Sequence, residues 1–281
     1  MNNSNTIICR PTKWFLWRAV AMLVLFGVFT VLFFKDWKVG YPQKNVEFYK
    51  HQAFEKAKAA FQEAESKGQG ASQWESFVGG QMVYPEEEGI LPKGVDPKTG
   101  WPEVLANYEG YKKGFEEGKE KAAPPLWLEY SHAQGWGSEP PESGNDADKI
   151  QTQLHFAIGS AVLTLFAVFY LMRTGRRSMV VDDEAFFAPG GPRIPFEKIQ
   201  RIDKRKWEAK GLAYLTYEGE DGKSGKAKVD GMVYGQFREE DGAPAEALFQ
   251  KILKNFKGEL IELEPEEEDE VEVAEPDESK D

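Results

Sequence analysis

Trp14 to Phe34 reads WFLWRAVAMLVLFGVFTVLFF, a run of about 21 residues in which only Arg18 and Thr30 are polar. At about 1.5 Å of rise per residue such a run reaches across the roughly 30 Å hydrocarbon core of a bilayer, so it reads as a transmembrane helix. Arg18 lies one turn inside, where its long stem lets the guanidinium snorkel to the headgroups. Arg10 and Lys13 ahead of the run also fit the basic region of a signal peptide. Lys35-Asp36-Trp37-Lys38 behind it offers no small-x-small cleavage site, which favours a retained anchor. Cys9 precedes the apolar run and is not placed as a lipoprotein's lipidated Cys.

A second run, His155 to Met172 (HFAIGSAVLTLFAVFYLM), carries Ser160 and Thr164 as its only aliphatic hydroxyls, each within reach of its own helix carbonyls. It too reads as a span, with small residues Ala157, Gly159, Ser160 and Ala161 suited to close contact with Ala21 or Gly27 of the first. Arg10, Lys13 and Arg18 outweigh Lys35 and Lys38 across the first run. Arg173, Arg176 and Arg177 outweigh Lys149 across the second. The positive-inside bias therefore places both termini in the cytoplasm of a two-pass protein of a bacterial inner membrane. The expected organisation is a cytoplasmic N-terminus (1–13), a span (14–34), an extracytoplasmic mainly helical segment (35–153), a second span (154–172), a cytoplasmic module (173–258) and a disordered acidic tail (259–281).

Between the spans, Asn45 to Lys67 sets Val46, Tyr49, Ala53, Ala57, Ala60, Phe61 and Ala64 on one stripe of an amphipathic helix. A second helix is expected from Trp101-Pro102, with Val104, Leu105, Tyr108, Tyr111 and Phe115 on its apolar face. Gln73 to Val83 suits a short helix, Tyr84 to Gly100 a loop, and Gly137 to Asp148 a linker. Gly110, Gly114 and Gly118 recur every fourth residue, as a groove for a close-packed backbone or as a fraying helix end. Trp127, Tyr130, His132 and Trp136 crowd a Pro- and Gly-containing stretch. They either line a ligand or partner site or cover a small helical core.

After Arg177 the periodicity becomes strand-like. Ser178 to Asp182 and Glu184 to Ala188 are followed by the turn Pro189-Gly190-Gly191-Pro192 and by Arg193 to Phe196. Gly211 to Glu218 alternates cleanly, Lys226 to Asp230 follows a polar turn, and Asp241-Gly242-Ala243-Pro244 opens a helix with Ala245, Leu248, Phe249, Ile252, Leu253 and Phe256 on its stripe. This order, with Ile194-Pro195-Phe196-Glu197-Lys198-Ile199 linking early strands, resembles the bacterial membrane-linked PH-like domains. The likeness covers about 80 of the 281 residues. It implies a small bent sheet capped by a C-terminal helix, used for binding or assembly. The fold class expected is thus a membrane α+β protein: two transmembrane helices, a helical extracytoplasmic segment and a PH-like module.

Candidate chemistry is sparse. One Cys excludes an intramolecular disulfide or a thiolate cluster, and His51, His132 and His155 form no local ligand pair. Asp182-Asp183-Glu184 is the tightest carboxylate group outside the tail and the one place a hard cation is conceivable, although successive strand residues point to opposite faces. Phosphate-loop, nucleophile-elbow and zinc spacings are missing from the sequence, so neither enzyme nor cofactor is expected. The net charge of −12 comes almost wholly from Glu259 to Asp281, where about 13 acids face Lys280 alone. The remainder is near neutral, without the basic stripe that nucleic acid requires. Arg173, Arg176 and Arg177 lie just inside the membrane, and Arg201, Lys204, Arg205, Lys206 and Lys210 form a second basic patch; these either dock on anionic lipid or a partner, or reflect the positive-inside bias in the first group and a solvated strand face in the second. The function expected is a non-catalytic scaffold or adaptor with membrane lipids and another protein as partners. The runner-up is an accessory subunit of a membrane enzyme or transporter.

Overall fold

The computed structural model describes residues 6–68, 70–118, 123–219 and 222–262. They form an α+β protein with two long apolar helices and two small sheets. The chain divides into a helical unit, Leu23–Leu165, and a sheet unit formed by the residues up to Met22 and from Phe166 onward.

The first apolar helix, α1 (Lys13–Lys35), starts where the Thr12 hydroxyl accepts the Phe15 N–H at 3.1 Å, and none of its side chains is buried. A π-helical turn, Asp36–Gly40, carries it into α2 (Tyr41–Ser66), so the amphipathic helix expected from Asn45 begins earlier and continues the first run. The second apolar helix, α7 (Ala147–Gly175), begins two turns ahead of its apolar run, with Asp146 accepting the Lys149 N–H at 2.6 Å. Both helix-internal hydroxyls Thr30 and Thr164 bond back to the carbonyls four residues earlier, at 2.8 and 2.9 Å. Nothing approaches the space a Cβ would take on Gly27 or Gly159. The expected small-residue contact at those glycines is replaced by bulky rings: Phe15 against Tyr170 in the sheet unit, and Phe33 against Phe156 in the helical unit.

In the helical unit α2 packs with α3 (Ala71–Gly79), α4 (Glu103–Ala106), α5 (Tyr108–Glu117) and α6 (Trp127–Ala133). Its stripe is read correctly at Ala53, Ala57 and Phe61, and Phe54 joins them in the core. Phe61 lies 4.9–5.6 Å from the rings of Phe115, Tyr111 and Trp74. Each such buried aromatic is worth about 1.5–3 kcal/mol in transfer alone. The second helix expected from Trp101 is broken at Asn107, whose extended backbone ends α4 and whose side chain accepts the Gly110 N–H at 3.1 Å to cap α5. Gly118 is the cap that ends α5, and a Cβ on Gly114 would strike Leu126 at 2.6 Å. The glycine repeat is therefore a helix end plus one close approach.

The segment read as a linker is anchored. Asn45, fully buried on α2, donates to the carbonyls of Ile90 and Asn145 at 2.9 and 2.7 Å and accepts the Asn145 N–H at 2.7 Å. One side chain thus ties α2, the loop around Ile90 and the approach to α7.

The sheet unit contains β1 (Ile7–Cys9), β2 (Met179–Val181), β3 (Ala185–Phe187) and β4 (Arg193–Pro195) as an antiparallel sheet in that order. A 3-10 turn, Phe196–Lys198, leads to the second sheet: β5 (Ile199–Lys206), β6 (Leu212–Glu218), β7 (Ser224–Asp230) and β8 (Glu259–Ile261), in the order β7-β6-β5-β8. A short α8 (Trp207–Lys210) joins β5 to β6, and α9 (Pro244–Asn255) buries Ala245, Leu248, Phe249 and Ile252 in the common core. Ala213 and Leu215 face this core while Tyr214 is exposed, as the alternation of β6 requires.

Two boundaries move. Residues Ile7–Cys9, read as part of a separate N-terminus, pair with β2 in the register Ile7↔Val181 and Cys9↔Met179. Glu259–Ile261, read as tail, forms β8 and runs parallel to β5. Gly258 makes this possible, since a Cβ there would lie 2.2 Å from the Gln200 carbonyl oxygen. The rest of the expected disordered tail, 263–281, lies outside the described residues.

Candidate functional site

The expected basic patch is only partly assembled. On β5, Arg201 is held by Glu259 of β8 at 2.8 Å, Lys204 by Glu262 at 2.7 Å, and Arg205 by Asp203 at 2.8 Å. The hydrogen bond from Arg205 keeps the Asp203 carboxyl below its ordinary range, and the bond to Glu259 raises Arg201. These pairs are exposed, so water screens them and they add little to stability. Their consequence is electrostatic: the start of the acidic tail neutralises much of β5. Lys206 and Lys210 are exposed and carry no ion pair among the described residues.

A different pair of cations joins the arginines that follow the second apolar run. Lys226 and Lys228 sit two residues apart on β7, hence on one face, and share a cavity of about 340 Å³ with Tyr170, Arg173, Thr174 and Arg177 of α7 and the segment after it. Its far wall is the turn Ala188 to Pro192 and its floor includes Asp230 and Tyr234. Arg177 is fixed against this turn, donating from Nη1 to the Pro189 carbonyl at 3.3 Å. Its guanidinium lies over Gly190, whose φ is +67° and where a Cβ would come within 2.5 Å of the guanidinium carbon. Lys228 pairs with Asp230 at 2.5 Å, and Asp230 also accepts the Val233 N–H at 3.0 Å. Burial raises Tyr234, while the nearby Arg177 and Arg173 pull it the other way. Arg176 is exposed outside this cavity. Lys226 and Lys228 escape the sequence reading because nothing in their own strand points at α7; only the period of two marks them as one face.

Immediately beside α1 the chain is tied to the same unit. Thr12 N–H donates to the Val233 carbonyl at 2.8 Å and Gly235 N–H to the Arg10 carbonyl at 2.9 Å. Burial pushes the Cys9 thiol up to about 11. A low-polarity site of this kind leaves it a packed hydrophobe, not a nucleophile.

In the helical unit three of the aromatic quartet come together, with the ring centres of Trp127, Tyr130 and Trp136 6.2–6.3 Å apart, and His132 stands outside them. Trp127 is fully buried, its indole N–H donating to the Ser138 carbonyl at 3.2 Å. Tyr130 and Trp136 are occupied by the chain's own Lys50, whose ammonium lies 5.5 and 5.7 Å from their ring centres and 2.9 Å from the Tyr130 hydroxyl. His132 is exposed and meets Ser138 Oγ at 3.1 Å. The quartet mainly covers the core. His51, set edge-on to Trp127, is held below its ordinary pKa by burial, against the opposing pull of Glu55.

The acidic triplet is likewise committed internally. Asp182 accepts the N–H groups of Glu184 and Ala185 at 2.8 and 2.7 Å, Asp183 binds Lys251 at 2.7 Å, and Glu184 binds Arg193 at 2.6 Å. Among the described residues no three His, Cys, Asp or Glu side chains converge as metal ligands would. Comparison with protein-family models, with curated proteins and with solved structures returns no match.

Proposed function

We propose that this chain is a non-catalytic adaptor of the bacterial inner membrane, crossing it twice through α1 and α7 with both termini in the cytoplasm. The observation that carries the reading is the pairing of β1 with β2. The strand just before α1 and the strand just after α7 are neighbours in one sheet, so two crossings return the chain to the side it left. Helices whose apolar side chains are as exposed as Trp17, Val31, Leu165 and Phe166 need lipid around them. The arginines after α7 supply the inward bias.

On this reading the sheet unit is a PH-like binding module. Support comes from its two small sheets and the helix α9 across them, although fold likeness by itself assigns no ligand. The module takes its first strand from ahead of the first span, which ties both spans to it. The helical unit between the spans is then the extracytoplasmic segment.

The test is an affinity pull-down of the full-length chain in mild detergent, read by mass spectrometry, against a chain truncated after Glu262. The cut must follow Glu262, because removal from Gly258 onward deletes β8 as well. A stoichiometric protein partner lost on truncation supports an adaptor that docks through its tail. A catalytic chain retained in both samples favours an accessory subunit, and no partner in either sinks the adaptor reading.

A further inference from the structure

The cavity between the end of α7 and β7 has two chemical halves. Toward the sheet it presents Arg173, Arg177, Lys226 and Lys228 against one carboxylate, Asp230, which Lys228 and the Val233 N–H already engage. Arg173 and Lys226 have no hydrogen-bonded or ionic partner among the described residues, and Arg177 spends one N–H on Pro189 and keeps the rest of its fork. Toward α7 the lip is Tyr170, exposed and one turn before Arg173, with exposed Phe166 and Phe169 preceding it on the same helix. An occupant that satisfies both halves carries a negative group next to apolar chains. Inorganic phosphate matches only the first half, and a neutral acyl chain only the second.

We propose that this cavity is a specific site for an anionic phospholipid, with the lipid phosphate seated among Arg173, Arg177 and Lys226 and the acyl chains running along the Phe166–Tyr170 face of α7. The assignment rests on the membrane-spanning reading of α7 and deepens it, since it names what holds the sheet unit to the bilayer surface. The arginine fork gives a planar, two-point contact for phosphate oxygens, and Lys226 adds a mobile point charge. The wall is preorganised: the turn carrying Gly190 leaves room for Arg177 and no room for a Cβ. Headgroups that carry an ammonium bring a positive charge into this cluster of cations. Those that end in hydroxyls do not, so the preferred class is a phosphatidylglycerol-type lipid. The β5 cations expected from sequence contribute little, because Glu259 and Glu262 already engage Arg201 and Lys204.

The test is native mass spectrometry of the full-length protein in detergent, titrated with phosphatidylglycerol or phosphatidylcholine of identical acyl chains. One phosphatidylglycerol is expected to bind at least tenfold more tightly than phosphatidylcholine. A cation close to an anionic headgroup is worth about fivefold in affinity, so Arg173→Ala with Lys226→Ala weakens that binding by about 25-fold. Lys206→Ala with Lys210→Ala leaves it within twofold. Both altered positions in the first pair are exposed, and a Cys9 that stays unreactive toward maleimide certifies the fold. Equal affinity for the two lipids, or an unchanged double variant, overturns the proposal. So does displacement of the lipid by micromolar glycerol 3-phosphate, which reassigns the cavity to a soluble anion. Alkaline carbonate extraction of the same membranes separates the two failures. A chain released by carbonate defeats the spanning reading itself, while one that stays embedded yet ignores headgroup charge defeats the site alone.

Discussion

Replacing Asn45 by Ala removes the one side chain that joins α2, the loop around Ile90 and the segment entering α7. The Ile90 carbonyl, the Asn145 carbonyl and the Asn145 N–H all lose their partner, at sites where Asn45 is fully buried and Asn145 nearly so. Each orphaned buried group costs about 1–3 kcal/mol, and water entering the vacated space returns part of it, so the net loss is about 3–5 kcal/mol. Hydrogen–deuterium exchange of the full-length protein in detergent reads this locally. Opening by about 3 kcal/mol speeds protected amides more than 100-fold in peptides covering 86–92 and 143–150. Asn45→Asp keeps the acceptor for Asn145 and loses both donated bonds, so it falls on the same side. The neighbouring exposed Gln43→Ala changes exchange less than threefold. Protection within twofold of wild type in both peptides of Asn45→Ala refutes the clasp.

Cys9, with its thiol at about 11 and its strand docked on β2, is expected to react with maleimide at pH 7.4 at least 100-fold more slowly than in urea, and Ile7→Asp, which places a charge on β1, removes most of that protection. Trp207→Phe deletes the 2.6 Å bond from the indole N–H to Glu246 while keeping a tilted ring contact with Phe249, and loses about 1–2 kcal/mol of α9 protection in exchange experiments. His51 is held below its ordinary pKa by burial, with Glu55 at 3.8 Å the charge that opposes this. The unfolded chain therefore takes up that proton first. Stability of the helical unit is whole above about pH 6.5 and falls as the pH drops below it. Exchange at pH 5.5, corrected for intrinsic rates, is faster than at pH 7.5, and His51→Gln removes the difference.

What the sequence discloses and what it hides divide along physical lines. The two apolar runs are legible because every residue in them carries the same signal. The strands β2, β3, β4, β6 and β7 and helix α9 are legible from period and turn residues, whereas β5, with its buried residues Ile199 and Ile202 three apart, carries no alternation. β1 is not: Ile7, Ile8 and Cys9 become a strand only through a partner about 170 residues away, and three residues hold no period. The break at Asn107 hides inside an unbroken apolar stripe, because a residue that caps one helix looks, from spacing alone, like the middle of another. At the candidate site the charges were visible and their pairing was not. Arg201 and Lys204 meet acids from the segment that follows α9, whereas Arg173 and Arg177 acquire Lys226 and Lys228 from a strand that carries no mark of α7.

The most direct measurement is cysteine labelling in spheroplasts, in a Cys9→Ala background, with single cysteines replacing Thr6, Lys93 and Lys210. With a membrane-impermeant maleimide, Lys93→Cys in the helical unit is expected to label in intact spheroplasts, and Thr6→Cys and Lys210→Cys only after permeabilisation. Labelling of Thr6→Cys and Lys210→Cys from opposite sides, or of Lys93→Cys from the same side as both, contradicts a chain that crosses twice and closes its own sheet across the two crossings.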